Sequence, residues 1–201
     1  MKLSLVLAAC ALALAGCVNF GDQPDAPAPT YYVLADAAPP APAARRAPDA
    51  APVLVVLDTT AGAFYDADAL VFSRSPGTRG QYQFARWTER PGKRFASLLR
   101  SRLDGQGDWR VVSAGGYVRG DLMLDTELVE FYHDATRSPG VFRLVLRAEL
   151  IDLKQRSLIG RRVFAHDVPL ASFDAPGAAQ AANRAAAAAL GDLGAWLVSP
   201  R

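Results

Sequence analysis

The chain is poor in cysteine and histidine, with Cys10 and Cys17 the only thiols and His133 and His166 the only imidazoles among 201 residues. Cys10 falls inside a short apolar leader, so loss of that leader leaves one cysteine. That excludes a disulfide and a cysteine-ligated metal site. Two histidines offer little material for a histidine-based hydrolase or metal centre. Lysine is equally scarce, at Lys2, Lys93 and Lys154. The 22 basic residues stand against 20 acidic ones, a balance that argues against nucleic acid as a partner. Beyond the leader, no run approaches the roughly 20 consecutive apolar residues of a membrane helix. The body of the chain therefore reads as one water-facing domain.

What is present at the start is specific. Lys2 precedes an apolar run from Leu3 to Ala15, and Leu14-Ala15-Gly16-Cys17 closes it. This is the layout of a secretory signal peptide of the lipoprotein type, too short to span a bilayer. The cysteine after the small pair takes a diacylglycerol through its sulfur, and cleavage frees its amine for a further acyl chain. Cys17 is thus the expected lipidation site and Leu14, Ala15 and Gly16 the lipobox. Each buried methylene contributes about 0.8 kcal/mol, so two or three chains hold a protein on a membrane almost permanently. Val18 stands where the inner-membrane retention signal of enteric bacteria would place an aspartate, which favours the periplasmic face of the outer membrane.

The organisation that follows is a signal peptide over 1–16, an acylated tether over 17–30 and one domain over 31–201. Removing sixteen residues from 201 leaves 185, enough for a single core. Asp22, Pro24, Asp25, Pro27 and Pro29 give the tether nothing with which to build a core. Its thirteen residues from Val18 to Thr30 reach at most about 45 Å at roughly 3.5 Å each. A short strand is expected at Tyr31 to Leu34 and a proline-rich surface loop at Ala35 to Pro52.

Val53 to Leu57 is a continuous apolar run, the mark of a strand covered on both faces. Leu70 to Arg74 and Gln81 to Trp87 flank a Pro-Gly turn and read as a hairpin. Pro91 opens a helix carrying Phe95, Leu98, Leu99 and Leu103, and Asp104-Gly105 is the expected stop. Strands follow at Trp109 to Val112, Leu122 to Tyr132, Phe142 to Leu153 and Leu158 to Val168. In the third of these, Phe142, Leu144, Leu146, Ala148 and Leu150 share one face, with Arg143, Arg147 and Glu149 on the other. Ala178 to Val198 reads as a long helix with a stripe at Ala182, Ala186, Ala189, Leu190, Leu193 and Leu197.

No residues assemble into a catalytic pattern, and none calls for a cofactor. Glu127 and Glu130 project to opposite faces of a regular strand, which argues against a paired-carboxylate site. Asp125 and Glu127 are expected to face Arg143 and Arg147 across a hairpin as solvated ion pairs. Ser113-Ala114-Gly115-Gly116 lacks the lysine and helix start of a phosphate loop. The pairs Arg45-Arg46 and Arg161-Arg162 read as solvated charge. Phe64, Tyr65, Phe72, Tyr82, Phe84 and Trp87 form the strongest candidate for partner or lipid contact, since such clusters are enriched where proteins meet partners. Aromatic residues also fill cores, and Trp87 takes the face opposite Tyr82 and Phe84 in a regular strand.

In order, Tyr31-Tyr32-Val33-Leu34, Tyr82 with Arg86-Trp87 and Pro91, Leu98-Leu99, Trp109-Arg110-Val111-Val112 and Asp121-Leu122 resemble the ABC-type transport auxiliary lipoproteins of the paraquat-inducible protein C type. Leu146-Arg147-Ala148-Glu149-Leu150-Ile151-Asp152-Leu153 and Ala181-Ala182-Asn183-Arg184-Ala185 extend the resemblance over nearly the whole mature chain. It implies an α/β fold, a three-layer domain with a mixed, largely antiparallel sheet and two main helices. It also implies a non-enzymatic accessory subunit of a lipid transport system, beside a mammalian-cell-entry-type periplasmic protein, a permease and an ATPase. Phospholipid is then a candidate ligand, and homo-oligomerisation suits a docking collar. The alternative from another class is a cell-envelope scaffold or regulator that binds a cell-wall enzyme.

Overall fold

The computed structural model describes residues 27–38, 46–115 and 118–199. Cys17, the lipobox residues Leu14, Ala15 and Gly16, and most of the stretch read as a tether lie outside them. The elements run β1 (Thr30–Tyr32), β2 (Val53–Val56), β3 (Thr60–Ala61), β4 (Ala69–Ser73), β5 (Gly80–Trp87), α1 (Pro91–Gln106) and β6 (Arg110–Ser113). They continue with β7 (Leu122–Asp134), β8 (Val141–Asp152), β9 (Ser157–Pro169) and α2 (Ala175–Val198). The expected α/β class, with a mixed sheet and two main helices, is present.

The long strand β7 organises the sheet. One of its edges takes three short parallel partners in succession, β2 at Leu122 to Leu124, β3 at Glu127 to Leu128 and β4 at His133 to Asp134. Its other edge runs antiparallel to β8, which pairs antiparallel with β9. These two ladders are the longest in the molecule. Beyond the short strands, β6 joins β2 in parallel, β5 joins β4 as the expected hairpin, and β1 joins β5 in parallel. Because β1 runs with β5, the chain preceding Thr30 meets the sheet at the end that carries the Ser75–Gly80 and Ala135–Gly140 turns.

Both helices lie against one face of this sheet and touch each other, α1 over β6 and α2 over β8 and β9. The face beneath them is built by alternation: Leu144, Leu146, Ala148 and Leu150 of β8 meet Leu124 and Leu128 of β7 in one core. The predicted stripe on α2 is buried throughout, from Ala182 to Leu197. Small side chains there let the helix axis approach the sheet closely, and leucines fill the lower half.

Helix boundaries follow their chemistry. Asp174 caps α2, accepting a hydrogen bond from the Gly177 amide at 2.8 Å, and a proline stands in its first turn; the helix thus begins at Ala175, a turn before its alanine stripe. Pro91 opens α1 as expected, but the helix passes through Asp104-Gly105 and ends at Gln106. Gly107, at φ 75°, supplies the left-handed conformation that stops it. Segment 33–36, between β1 and the loop, is strapped over both helices. Arg94 Nε donates to Leu34 O at 2.8 Å, Ala35 N donates to Asn183 Oδ1 at 3.0 Å, and Arg102 forks onto the Asp36 carboxylate. Leu34 itself is buried in the core.

Candidate contact surface

The six aromatic residues do not form one patch. Trp87 is 1 % exposed and packs on Phe131, with ring centroids 5.7 Å apart, so it belongs to the core and is withdrawn from the contact set. Phe64 and Tyr65 meet edge to face in the segment between β3 and β4, Phe64 remaining 43 % exposed. Phe84 is exposed on β5. A register shift between Ala69 and Val71, opposite Gln81 to Arg86, breaks strict alternation along β5.

Phe72 and Tyr82 instead join a buried polar cluster that sequence reading did not assemble. Phe72 is paired with His133 across β4 and β7, and its ring lies 5.1 Å from that of Tyr82. His133 is fully buried; its Nε2 lies 3.0 Å from Pro139 O and its Nδ1 lies 2.8 Å from the Tyr82 hydroxyl. A carbonyl only accepts, so Nε2 carries the proton, and in the neutral imidazole that burial favours Nδ1 accepts from the Tyr82 hydroxyl. Burial holds the His133 pKa below the ordinary histidine range. It pushes the Tyr82 hydroxyl up to about 12, with the Asp174 carboxylate adding to the effect. Gly140, at φ 78°, closes the turn beside this imidazole, where a Cβ would collide with Asp134 O. These contacts saturate both ring nitrogens, as a structural histidine requires. His166 stands on β9, its Nε2 3.5 Å from Asp192 Oδ2, two strands away from His133.

The sheet face away from the helices carries charge. A bulge between Leu128 and Glu130 turns Glu130, Tyr132 and Asp134 onto the same side as Glu127, correcting the expectation that the two glutamates face opposite ways. The bulge also changes partners. Arg147 reaches Glu127 at 2.7 Å as expected, but Arg143 bonds Glu130 and Asp167, while Asp125 lies opposite Glu149. Arg79 stacks over Tyr132 at 3.8 Å, donates from Nε to the Tyr65 hydroxyl at 2.8 Å and stands 3.8 Å from Glu130. An open groove of about 690 Å³ runs here, lined by Arg79, Glu130, Tyr132, Asp134, Arg137 and Arg143. Its carboxylates are occupied: Glu130 by two arginines, and Asp134 by the hydroxyl and amide of Thr136, which hold its pKa below the usual carboxylate range. No general acid and base pair emerges from such an arrangement. Among the described residues, no group of three or more His, Cys, Asp or Glu is placed to hold a metal ion.

The model of the ABC-type transport auxiliary lipoprotein component family matches residues 32–193, from β1 through most of α2. The chain belongs to that family. The family's description is that of an auxiliary component of transport, which is not an enzymatic function. No curated protein matches its sequence. Among solved structures, a protein from Xanthomonas campestris is similar at a TM-score of 0.72 and 21 % identity, covering 83 % of this chain and 94 % of that one. An uncharacterized protein superposes at 0.66 with 15 % identity, covering 85 % and 99 %. A hypothetical protein from Chlamydia trachomatis gives 0.53 with 12 % identity, covering 75 % and 100 %. At these identities the likeness is one of fold. No helix of the described residues is long and apolar enough to cross a membrane.

Proposed function

We propose that this auxiliary lipoprotein is anchored through Cys17 to the periplasmic face of the outer membrane and docks an ABC transporter of the mammalian-cell-entry type there, so that phospholipid passes between membranes near a fixed point. The observation that carries this reading is the lipobox Leu14-Ala15-Gly16-Cys17 immediately upstream of a family match that spans the fold. The fold supports a polarity for the anchored molecule. The chain enters β1 from the end bearing the Ser75–Gly80 and Ala135–Gly140 turns, so the attachment point lies at that end of the domain. The turn between β8 and β9 and the C-terminus of α2 lie at the opposite end. The thirteen residues of β7 separate the two ends by about 43 Å, at 3.3 Å per residue. Phe64, Tyr65 and Phe84 are the remaining candidates for partner or lipid contact, whereas the Tyr82 hydroxyl is engaged by His133.

Affinity purification of the detergent-solubilised, acylated protein from its native envelope, with mass spectrometry of proteins and lipids, tests the assignment. Recovery of a mammalian-cell-entry protein with its permease and ATPase is the expected result. Recovery of wall-synthesis enzymes in their place overturns it in favour of a scaffold role. Cys17→Ser is expected to release the protein from outer-membrane fractions on a density gradient, and retention of the variant there refutes the anchor.

A further inference from the structure

Among the described residues, β9 is the long strand that pairs on one side only. β7 is lined by partners on both edges and β8 lies between β7 and β9, whereas the thirteen residues of β9 bond β8 alone. The outer row of backbone amides and carbonyls on such a strand is a template for a further strand. Short exposed edges such as β1 and β6 present three and four residues. β9 is the edge with the length for specific pairing.

Its side chains say what would pair. Leu158, Ile159 and Val163 are 51 %, 37 % and 55 % exposed, a concentration of branched apolar surface that no other strand carries. A register shift opposite Leu150 and Ile151 makes Ile159 the extra residue of a bulge, and above it the strand is regular from Gly160 to Pro169. Most cations on this sheet face carboxylates, Arg161 holding Glu149 at 2.7 Å and Arg147 holding Glu127. Among the described residues, Arg156 and Arg162 have no carboxylate partner: Arg156 sits exposed in the β8–β9 turn at φ 55°, and Arg162 lies over the Phe164 ring at 5.5 Å. Arg162 and Val163 point to opposite faces, so a paired segment places an acidic side chain and an aliphatic one at successive positions.

We propose that the free edge of β9 docks an extended, acidic segment of a partner protein as an additional strand, with Gly160 to Val168 supplying the backbone ladder and Arg156 and Arg162 the counter-charges. Charge complementarity selects this occupant. A second β9 would bring Arg156 and Arg162 of its own to the same edge, the kind of like-charge approach that blunts self-pairing. A helical partner would leave the edge amides unpaired. The inference stands on the strand and goes beyond the transporter assignment, and its test is independent of which protein is recovered from the envelope.

The test uses the full-length acylated protein in detergent micelles and two fluorescein-labelled ten-residue peptides, one alternating Glu with Val and one alternating Lys with Val. Fluorescence anisotropy is expected to show saturable binding of the Glu/Val peptide and none of the Lys/Val peptide. The double variant Arg156→Glu, Arg162→Glu should weaken the first by about tenfold and gain binding of the second. Hydrogen exchange should show slowed amides within Gly160–Val168 when the Glu/Val peptide is bound. Circular dichroism of the exposed-site variant checks that it remains folded. Absence of peptide binding, binding unaltered by the charge reversal, or protection confined to other strands overturns the proposal. So does a concentration-dependent dimer that protects β9 without peptide, which gives the edge to a second copy. Flotation of the Cys17→Ser protein on phosphatidylglycerol vesicles that is abolished by the charge reversal gives the arginines to lipid, and overturns it as well.

Discussion

The two faces of the β7–β8 ladder are made by the same strands yet obey different rules. On the helix side, Leu124, Leu128, Leu144, Leu146 and Ala148 meet the small residues of α2, and every one is buried to 1 % or less. On the other side, Glu127, Glu130, Arg143, Arg147 and Glu149 form a lattice of ion pairs open to water. Apolar burial depends on volume and is unforgiving of a lost or added methylene. The charged face gains little from each pair because solvent screens it. One face thus fixes the fold, and the other is free to vary in what it recognises.

The sharpest way to break the contrast is Leu146→Ala, which removes buried volume beneath α2 and should cost about 2–5 kcal/mol, read from the urea midpoint at unchanged slope. Ala182→Leu attacks the same contact from the helix side; overfilling it should cost about 1–3 kcal/mol, and a loss of near-ultraviolet circular dichroism would accompany it. An effect below that of a surface control at either position would show that α2 does not seal the core as described.

His133 tests a polar exception within the apolar face. Its folded pKa lies below the unfolded value of about 6.5, so the unfolded state binds the proton more readily. The corresponding stability is fully present above that unfolded value and is lost as pH falls toward the depressed folded one. Thermal unfolding from pH 8 to 5 should show this decline. His133→Gln should lower stability by about 1 kcal/mol at pH 8 and flatten the decline, and an unchanged profile would place the titration elsewhere. The smallest effect belongs to the outer lattice. A double-mutant cycle on Glu127→Ala and Arg147→Ala should give a coupling of about 0.5 kcal/mol that vanishes in molar salt. A salt-resistant coupling above that would mean the open face is more structural than its exposure indicates.

Much of the architecture is legible in residue patterns because burial writes itself as alternation. The regular period of Phe142 to Leu150 locates β8 and its buried side, and the Ala182 to Leu197 stripe locates α2. The β7 bulge is invisible for a physical reason: Leu128 and Val129 are both apolar, so no change of polarity marks where the period slips, and the facing of Glu130 is misread. The sharing of one β7 edge among β2, β3 and β4 rests on contacts between distant segments that local pattern does not encode. Trp87 is ambiguous from sequence because a tryptophan serves equally in cores and at interfaces. The His133 cluster was signalled only by an isolated histidine at the end of an apolar strand. The strongest functional signal in the sequence, the Leu14-Ala15-Gly16-Cys17 run, lies outside the described residues.

The strap over the helices has a mechanical meaning. A chain held at its N-terminus loads the domain through β1, and because β1 points inward from that end beside the parallel β5, the pull acts along the strands as shear. Shear strains the hydrogen bonds of the ladder together, where peeling would open them one at a time. The next links in the load path are Leu34 in the core, Arg94 on its carbonyl, Asn183 on the backbone of Ala35, and the Arg102 fork on Asp36. On the proposed anchoring through Cys17, force would thereby be divided between two helices and a strand, and the domain would resist unravelling from its N-terminal side.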